Sequence, residues 1–375
     1  MAVTSKGTAA GLVDWRTVER LTALIPAGPS ASRSARASSV AVLRRSALEA
    51  PAWVARITGL NRAAQQVAET TRVSVVDRAG LVRASTRALR GLMEQVPAPQ
   101  ASEAVRLVGA AEMAGAMSLL ATRLLGQVVP AAGTGADGDA GRGGEASPHL
   151  LLVAPNVLAM RRQLDLDMLD LPAWVCLHEM THAVQLAAAP WLGPYLSDSM
   201  RMVIGAVVEA VYGGPGGGAD GTGEQGLRRR PGRAARIAAR AGRGRVLEGL
   251  TNFKERSEVA SLAAALTFLE GHAEVVLDDV HPNRMPSVHR LRAVLSRSRA
   301  ADAGIGPGPG LGSLLLHRLM GLEAKEAQYA DGTAFVRSVV ARIGHEGLNV
   351  VWTDPALLPT PAEIARPDVW VRRVG

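Results

Sequence analysis

Two histidines and a glutamate inside an apolar helix pattern constrain this 375-residue chain more than any other feature. Residues 171–189 are apolar at helical spacing, contain no helix breaker beyond the first turn, and stop at Pro190. His178-Glu179-Met180-Thr181-His182 lies at the centre, with WVCL before it and AVQLAAA after it. Positions i and i+4 share a helix face, so both imidazoles can reach one metal ion, with Glu179 beside them. Burying such polar groups is costly unless they have partners. The spacing therefore points to a metal centre. Zinc suits it, because imidazole is a good ligand and the ion imposes no geometry that two helical histidines would violate. Glu179 is expected as the group that takes a proton from water whose pKa the ion lowers, and not as a ligand.

A hydrolytic zinc site needs a third protein ligand and an open position. Residues 268–279, FLEGHAEVVLDD, offer candidates on one expected helix. Glu270, Glu274 and Asp278 fall on one face, while His272 points elsewhere. An acidic stripe within an apolar run is not a solvated face. Glu270 is expected as the third ligand. Glu274, one turn on, is expected to hold the far nitrogen of His178 or His182. His272 is the competing ligand, which would give a three-histidine site.

The rest of the chain sets the frame. Hydrophobic residues make up 47%, which excludes wholesale disorder. The single cysteine, Cys176, excludes a disulfide framework and any multi-cysteine metal site, and fits a reducing, cytoplasmic setting. No run of about 18 uninterrupted apolar residues occurs, so no membrane span is expected. The N-terminus lacks the apolar core of a secretory signal. The net charge is +8, yet residues 213–245 hold eight arginines against Asp220 and Glu224, so the remainder is nearly balanced. That run has no interleaved aromatics and reads as a solvated loop; no nucleic-acid partner is expected.

The order of segments predicts a helical N-terminal region at 1–130, a flexible Gly-rich loop at 131–148, and a catalytic region at 149–375 with a Gly/Arg-rich insertion at 213–245. Residues 12–127 read as helical, with Asp14 as an N-cap and helices near 38–50, 85–95 and 104–125. Residues 149–156 read as a buried or edge strand between Pro148 and Pro155, followed by a helix from Val157. Further helices are expected at 200–212, 247–280, 287–299, 313–329 and 333–343. The expected class is mainly α with at most a small sheet.

HEMTH followed by EGHAE resembles the gluzincin branch of zinc metallopeptidases. That likeness implies Glu270 as the ligand, from a Glu-Gly-x-Ala helix, and Glu274 as the carboxylate that orients a histidine. A broader likeness is to an actinobacterial zincin-like family described as zinc-dependent metalloproteases or hydrolases. Some members carry a label linking them to deazaflavin coenzyme biosynthesis. The matching stretches include LVDW (12–15), VVDRAGLVRAS (75–85), VAPNVLAM (153–160), WVCLHEMTHAVQ (174–185), LEGHAEVVLD (269–278) and LPTPAEIARPDVWV (358–371). The likeness implies a mainly helical zincin-like fold with one zinc. The chain departs from gluzincins in placing Glu270 88 positions after His182.

Amide hydrolysis also needs a donor for the developing oxyanion. Tyr329, in KEAQYADG beside Lys325 and Gln328, is the expected donor, with Tyr195 in reserve. Cys176 lies off the motif face and reads as a buried structural thiol. The expected function is that of a zinc-dependent metallohydrolase, a peptidase acting on peptides or small amides. Two rivals stand beside it: a non-peptidase zinc hydrolase of a small amide or ester, and a zinc-stabilised helical scaffold that binds a partner through its Arg-rich loop. The sequence carries no signal for an oligomeric state.

Overall fold

The computed structural model describes residues 7–129, 148–212, 253–301 and 327–375. The Gly-rich stretch 131–147, the insertion at 213–245 and the expected helix at 313–329 as far as residue 326 lie outside the described residues. The described residues are mainly α, built around one small sheet. A two-residue ribbon, β1 (Gly7–Thr8) with β3 (Pro97–Ala98), lies apart from it.

The sheet has the order β2 (Arg72–Val76), β5 (His149–Val153), β4 (Gly126–Val129). β2 runs parallel to β5, and β4 runs antiparallel to it. The unbroken apolar run of β5 explains its central place, since a strand covered on both faces needs no polar alternation. Leu150 and Leu152 face a core shared with α2 (Arg33–Thr58), α3 (Asn61–Thr70) and α7 (Asp170–Ala188). Leu151 and Val153 face a second core, with α1 (Trp15–Thr22), α4 (Arg78–Glu94) and α5 (Glu103–Arg123).

The sequence reading needs three corrections. Residues 12–127 are not helical throughout, because β2, β3 and the start of β4 interrupt them. Strands this short gain their identity from pairing and not from local propensity. The helix expected from Val157 is α6 (Ala154–Gln163), and Pro155 sits in its first turn, where a missing N–H costs nothing. α2 does not end at residue 50 but continues through the buried Pro51 to Thr58, held by packing against α7. Gly59, in the left-handed conformation with φ 76°, then closes it. Asp14 does cap α1, its carboxylate accepting the backbone N–H groups of Arg16 and Thr17.

α8 (Leu192–Tyr212) leads to the second ligand-bearing helix, α9 (Phe253–Asp278). α10 (Val288–Ala301) follows, and then α11 (Ala327–Leu348), whose Phe335, Val336 and Val339 pack with Phe268 of α9. α9 and α11 cross at two glycines. A Cβ on Gly271 would lie 2.3 Å from the backbone carbon of Gly332, and one on Gly332 would lie 2.2 Å from the Thr267 carbonyl oxygen. The chain ends in α12 (Pro361–Ile364) and α13 (Pro367–Val374), clasped by Arg373 on the buried Glu363.

By length and composition alone, α5 and residues 257–278 of α9 could cross a membrane. In the fold, α9 is an interior helix, and α5 buries a line of Ala110, Ala114, Met117 and Ala121 against the second core.

Candidate metal centre

α7 forms because its apolar residues run at helical spacing, and it is buried almost all round. That burial takes His178, Glu179 and Gln185 into the interior, each no more than 3% exposed. α9 crosses α7 and brings Glu270 opposite the two histidines.

Three ligand atoms converge. His178 Nε2 and His182 Nε2 are 3.3 Å apart. Glu270 Oε2 lies 3.4 Å from the first and 3.7 Å from the second. The imidazoles stand edge to face, 4.9 Å apart at 85°. Ligand bonds of about 2.0–2.2 Å at tetrahedral angles put donor atoms about 3.3–3.5 Å apart. Two sides of the observed triangle have that length and the third, at 3.7 Å, is slightly longer, so this donor set fits a metal ion. Among the described residues, His178, His182 and Glu270 are the group of side chains placed to hold one.

The electrostatics agree. Burial opposes a charge on His182, but the Glu270 carboxylate beside it outweighs this, and its pKa is pushed up to about 9. Burial likewise penalises a charged Glu270, yet His182 and His178 hold its carboxyl well below the usual carboxylate range. A site that attracts a proton so strongly next to a fixed carboxylate is a site for positive charge.

Glu179 lies beside the triangle and against β4. Burial raises its pKa above the ordinary carboxylate value, with the nearby histidines and the Val128 backbone N–H pulling the other way. Gly126 permits the close approach of β4: a Cβ there would lie 2.7 Å from Glu179 Cγ. The bond from the Val153 N–H to the Leu125 carbonyl sets the alternation along β4. Gly126 and Val128 therefore turn their backbone groups away from β5, towards the edge that no described strand pairs with.

The remaining candidates separate. Glu274 Oε1 stands 4.0 Å from His178 Nδ1, a buried nitrogen with no hydrogen-bond partner among the described residues, so of the two expected associations the structure brings it to His178. His272 lies outside the converging ligand atoms. Its ring is fully buried against Trp352 and Phe268, its pKa falls to about 3 through burial and the nearby His345 and His182, and its Nδ1 accepts from Gln185. Asp278, on the same face as the two glutamates, pairs with Arg292 and Arg337. Tyr329 falls in the first turn of α11, and its side chain lies outside the described residues. Tyr195 packs on Trp191, and burial raises its pKa. Cys176 is buried, its thiol reaching the Leu43 carbonyl at 3.5 Å, and burial raises its pKa, as expected of a structural thiol.

Sequence reasoning missed Gln185, Val128 and Gly126. Gln185 could have been noticed as a polar residue one turn after His182 in an otherwise apolar stretch. The two β4 residues act through backbone and carry no side-chain signal.

Fold and site together define a mainly α protein with a candidate two-helix metal centre built on an HExxH helix. The model of the zincin-like metallopeptidases matches residues 13–371, and the chain belongs to that family. Its fold is shared with a crystal structure from Chloroflexus aurantiacus, described as a candidate hydrolase with a novel fold. The TM-score is 0.58 at 21% identity, over 96% of this chain and 98% of that one. No curated protein matches this chain.

Proposed function

We propose that this protein is a zinc-dependent peptidase. The observation that carries the reading is the triangle of His178, His182 and Glu270 with a buried carboxylate, Glu179, beside it and outside it. His178, His182 and Glu270 would hold the ion. Bound there, zinc supplies Lewis acidity, which lowers the pKa of water and polarises a carbonyl. Glu179 accepts the proton of the attacking water and delivers it to the departing nitrogen. Its burial makes it a stronger base than an exposed glutamate, and the Val128 N–H fixes where its carboxylate points. The Gly126 N–H and the carbonyls of Gly126 and Val128, which face away from β5, offer an extended chain a strand to pair with, directly beside Glu179. This favours a peptide over a small amide, which could not use that edge. Tyr329 is retained in this reading as the oxyanion donor.

The test is mass-spectrometric analysis of a diverse peptide library incubated with zinc-loaded protein, with Glu179→Gln in parallel. Cuts are expected from the wild type. The variant should keep its zinc and lose about 10²–10⁴-fold in rate. Cleavage of small amides or esters but of no peptide would overturn the peptidase reading. Full activity in Glu179→Gln would overturn the mechanism.

A further inference from the structure

Gln185 has a buried side chain that the proposed mechanism does not use, and every polar atom of it is engaged. Its Nε2 donates to the Leu269 carbonyl and to His272 Nδ1, each at 2.9 Å. Its Oε1 lies 2.9 Å from His182 Nδ1. The Leu269 carbonyl belongs to the peptide bond that leads into Glu270. One amide thus joins a histidine of α7 to the backbone that carries the glutamate of α9.

The direction of these bonds is fixed by one group. A backbone carbonyl only accepts, so Leu269 forces the NH2 end of Gln185 towards itself. The amide oxygen must then face His182. An amide oxygen also only accepts, so His182 keeps a proton on Nδ1, and Nε2 is the nitrogen that gives up its proton when the triangle holds an ion. The reversed amide would set two carbonyl oxygens 2.9 Å apart and would leave the His182 proton on Nε2, the atom that faces Glu270. A histidine that binds a metal through one nitrogen is oriented by what the other nitrogen donates to.

We infer that Gln185 is a positioning residue of the metal centre: its amide oxygen fixes the tautomer and ring angle of His182, and its amide nitrogen locks α7 to α9 at Glu270. The inference rests on the metal reading above and deepens it.

The test measures zinc affinity by chelator competition on the full chain, together with the visible ligand-field spectrum of the cobalt(II)-loaded protein. Gln185→Met fills the same volume without hydrogen bonds and should bind zinc about 10–100-fold more weakly, with altered cobalt bands. Gln185→Glu keeps an acceptor facing His182 but loses the donor to the Leu269 carbonyl, so it should bind zinc more tightly than Gln185→Met and less tightly than the wild type, with cobalt bands close to wild type. Equal affinity for Gln185→Met and wild type would overturn the inference, as would Gln185→Glu binding no better than Gln185→Met. If Gln185→Met does not fold, as judged by circular dichroism, Gln185→Glu carries the test: weaker zinc binding with cobalt bands close to wild type upholds both roles of the amide, and wild-type affinity or strongly altered bands overturns the inference. A wild-type chain that binds no zinc would instead sink the metal reading itself.

Discussion

Gly271→Ala is a single-methyl change whose sign can be worked from the crossing of α9 and α11. In an open helix, alanine is better than glycine by about 0.5–1 kcal/mol. At Gly271 the new carbon would meet Gly332 C at 2.3 Å, Gly332 O at 2.4 Å and Thr333 N at 2.8 Å. All three are backbone atoms, so no side chain can rotate away. Carbon atoms rest at about 3.5–4.0 Å, so the helices must part by about 1.2 Å or more at this point. Overpacking of this kind costs about 1–3 kcal/mol. The strain outweighs the propensity gain, for a net loss of about 1–2 kcal/mol. Glu270 is the adjacent residue, and its carboxylate would be drawn from the histidines that it meets at 3.4 and 3.7 Å. Gly271→Ala should therefore unfold at a lower temperature and bind zinc at least about tenfold more weakly. Gly91→Ala is the matched control, because a Cβ there meets nothing within 4 Å, and it should stabilise α4 slightly. Scanning calorimetry with and without zinc, and chelator competition, read both effects. A Gly271→Ala protein as stable as Gly91→Ala, with wild-type zinc affinity, would refute the argument.

Two other perturbations have worked signs. Gly126→Ala would put a Cβ 2.7 Å from Glu179 Cγ and displace that flexible side chain from the Val128 N–H, so zinc content should hold while the cleavage rate drops about tenfold or more; an unchanged rate would remove Glu179 from the reaction. Burial penalises charge on Glu363, yet Arg373 and Thr360 hold its carboxyl below the usual value of 4.5 in the folded chain. Its contribution to stability is therefore complete above about pH 5 and is lost as pH falls through the lowered folded value. Glu363→Gln should flatten the acid limb of the denaturation midpoint against pH, and an unaltered limb would contradict the pairing.

The sequence made the metal helix legible because its physics is local. An apolar period, a stop at Pro190 and two histidines four apart all lie within twenty residues, and α7 spans Asp170–Ala188. The acidic face of α9 was legible for the same reason, though periodicity could not tell that Asp278 would go to Arg292 and Arg337 while Glu270 went to the histidines. What stayed hidden depends on partners distant in sequence. β2 and β4 are strands only because β5 lies between them. Gly126 is needed only because Glu179 arrives from α7, and Gly271 only because Gly332 arrives from α11. Gln185 looks like any polar residue in a helix until Leu269 and His272 are placed against it.

The strand order carries a consequence for synthesis. β2 and β4 leave the ribosome before β5, the strand that lies between them, so the nascent chain holds two unpaired strand edges until residues 149–153 emerge. Exposed edges are templates for wrong pairings. The metal centre is delayed further: His178 and His182 wait for a glutamate 88 positions downstream of the second histidine. Capture of an ion by the proposed centre would thus be a late event, available to a chain that has already closed its sheet, and a polypeptide cut short before α9 could present two histidines but not the third side of the triangle.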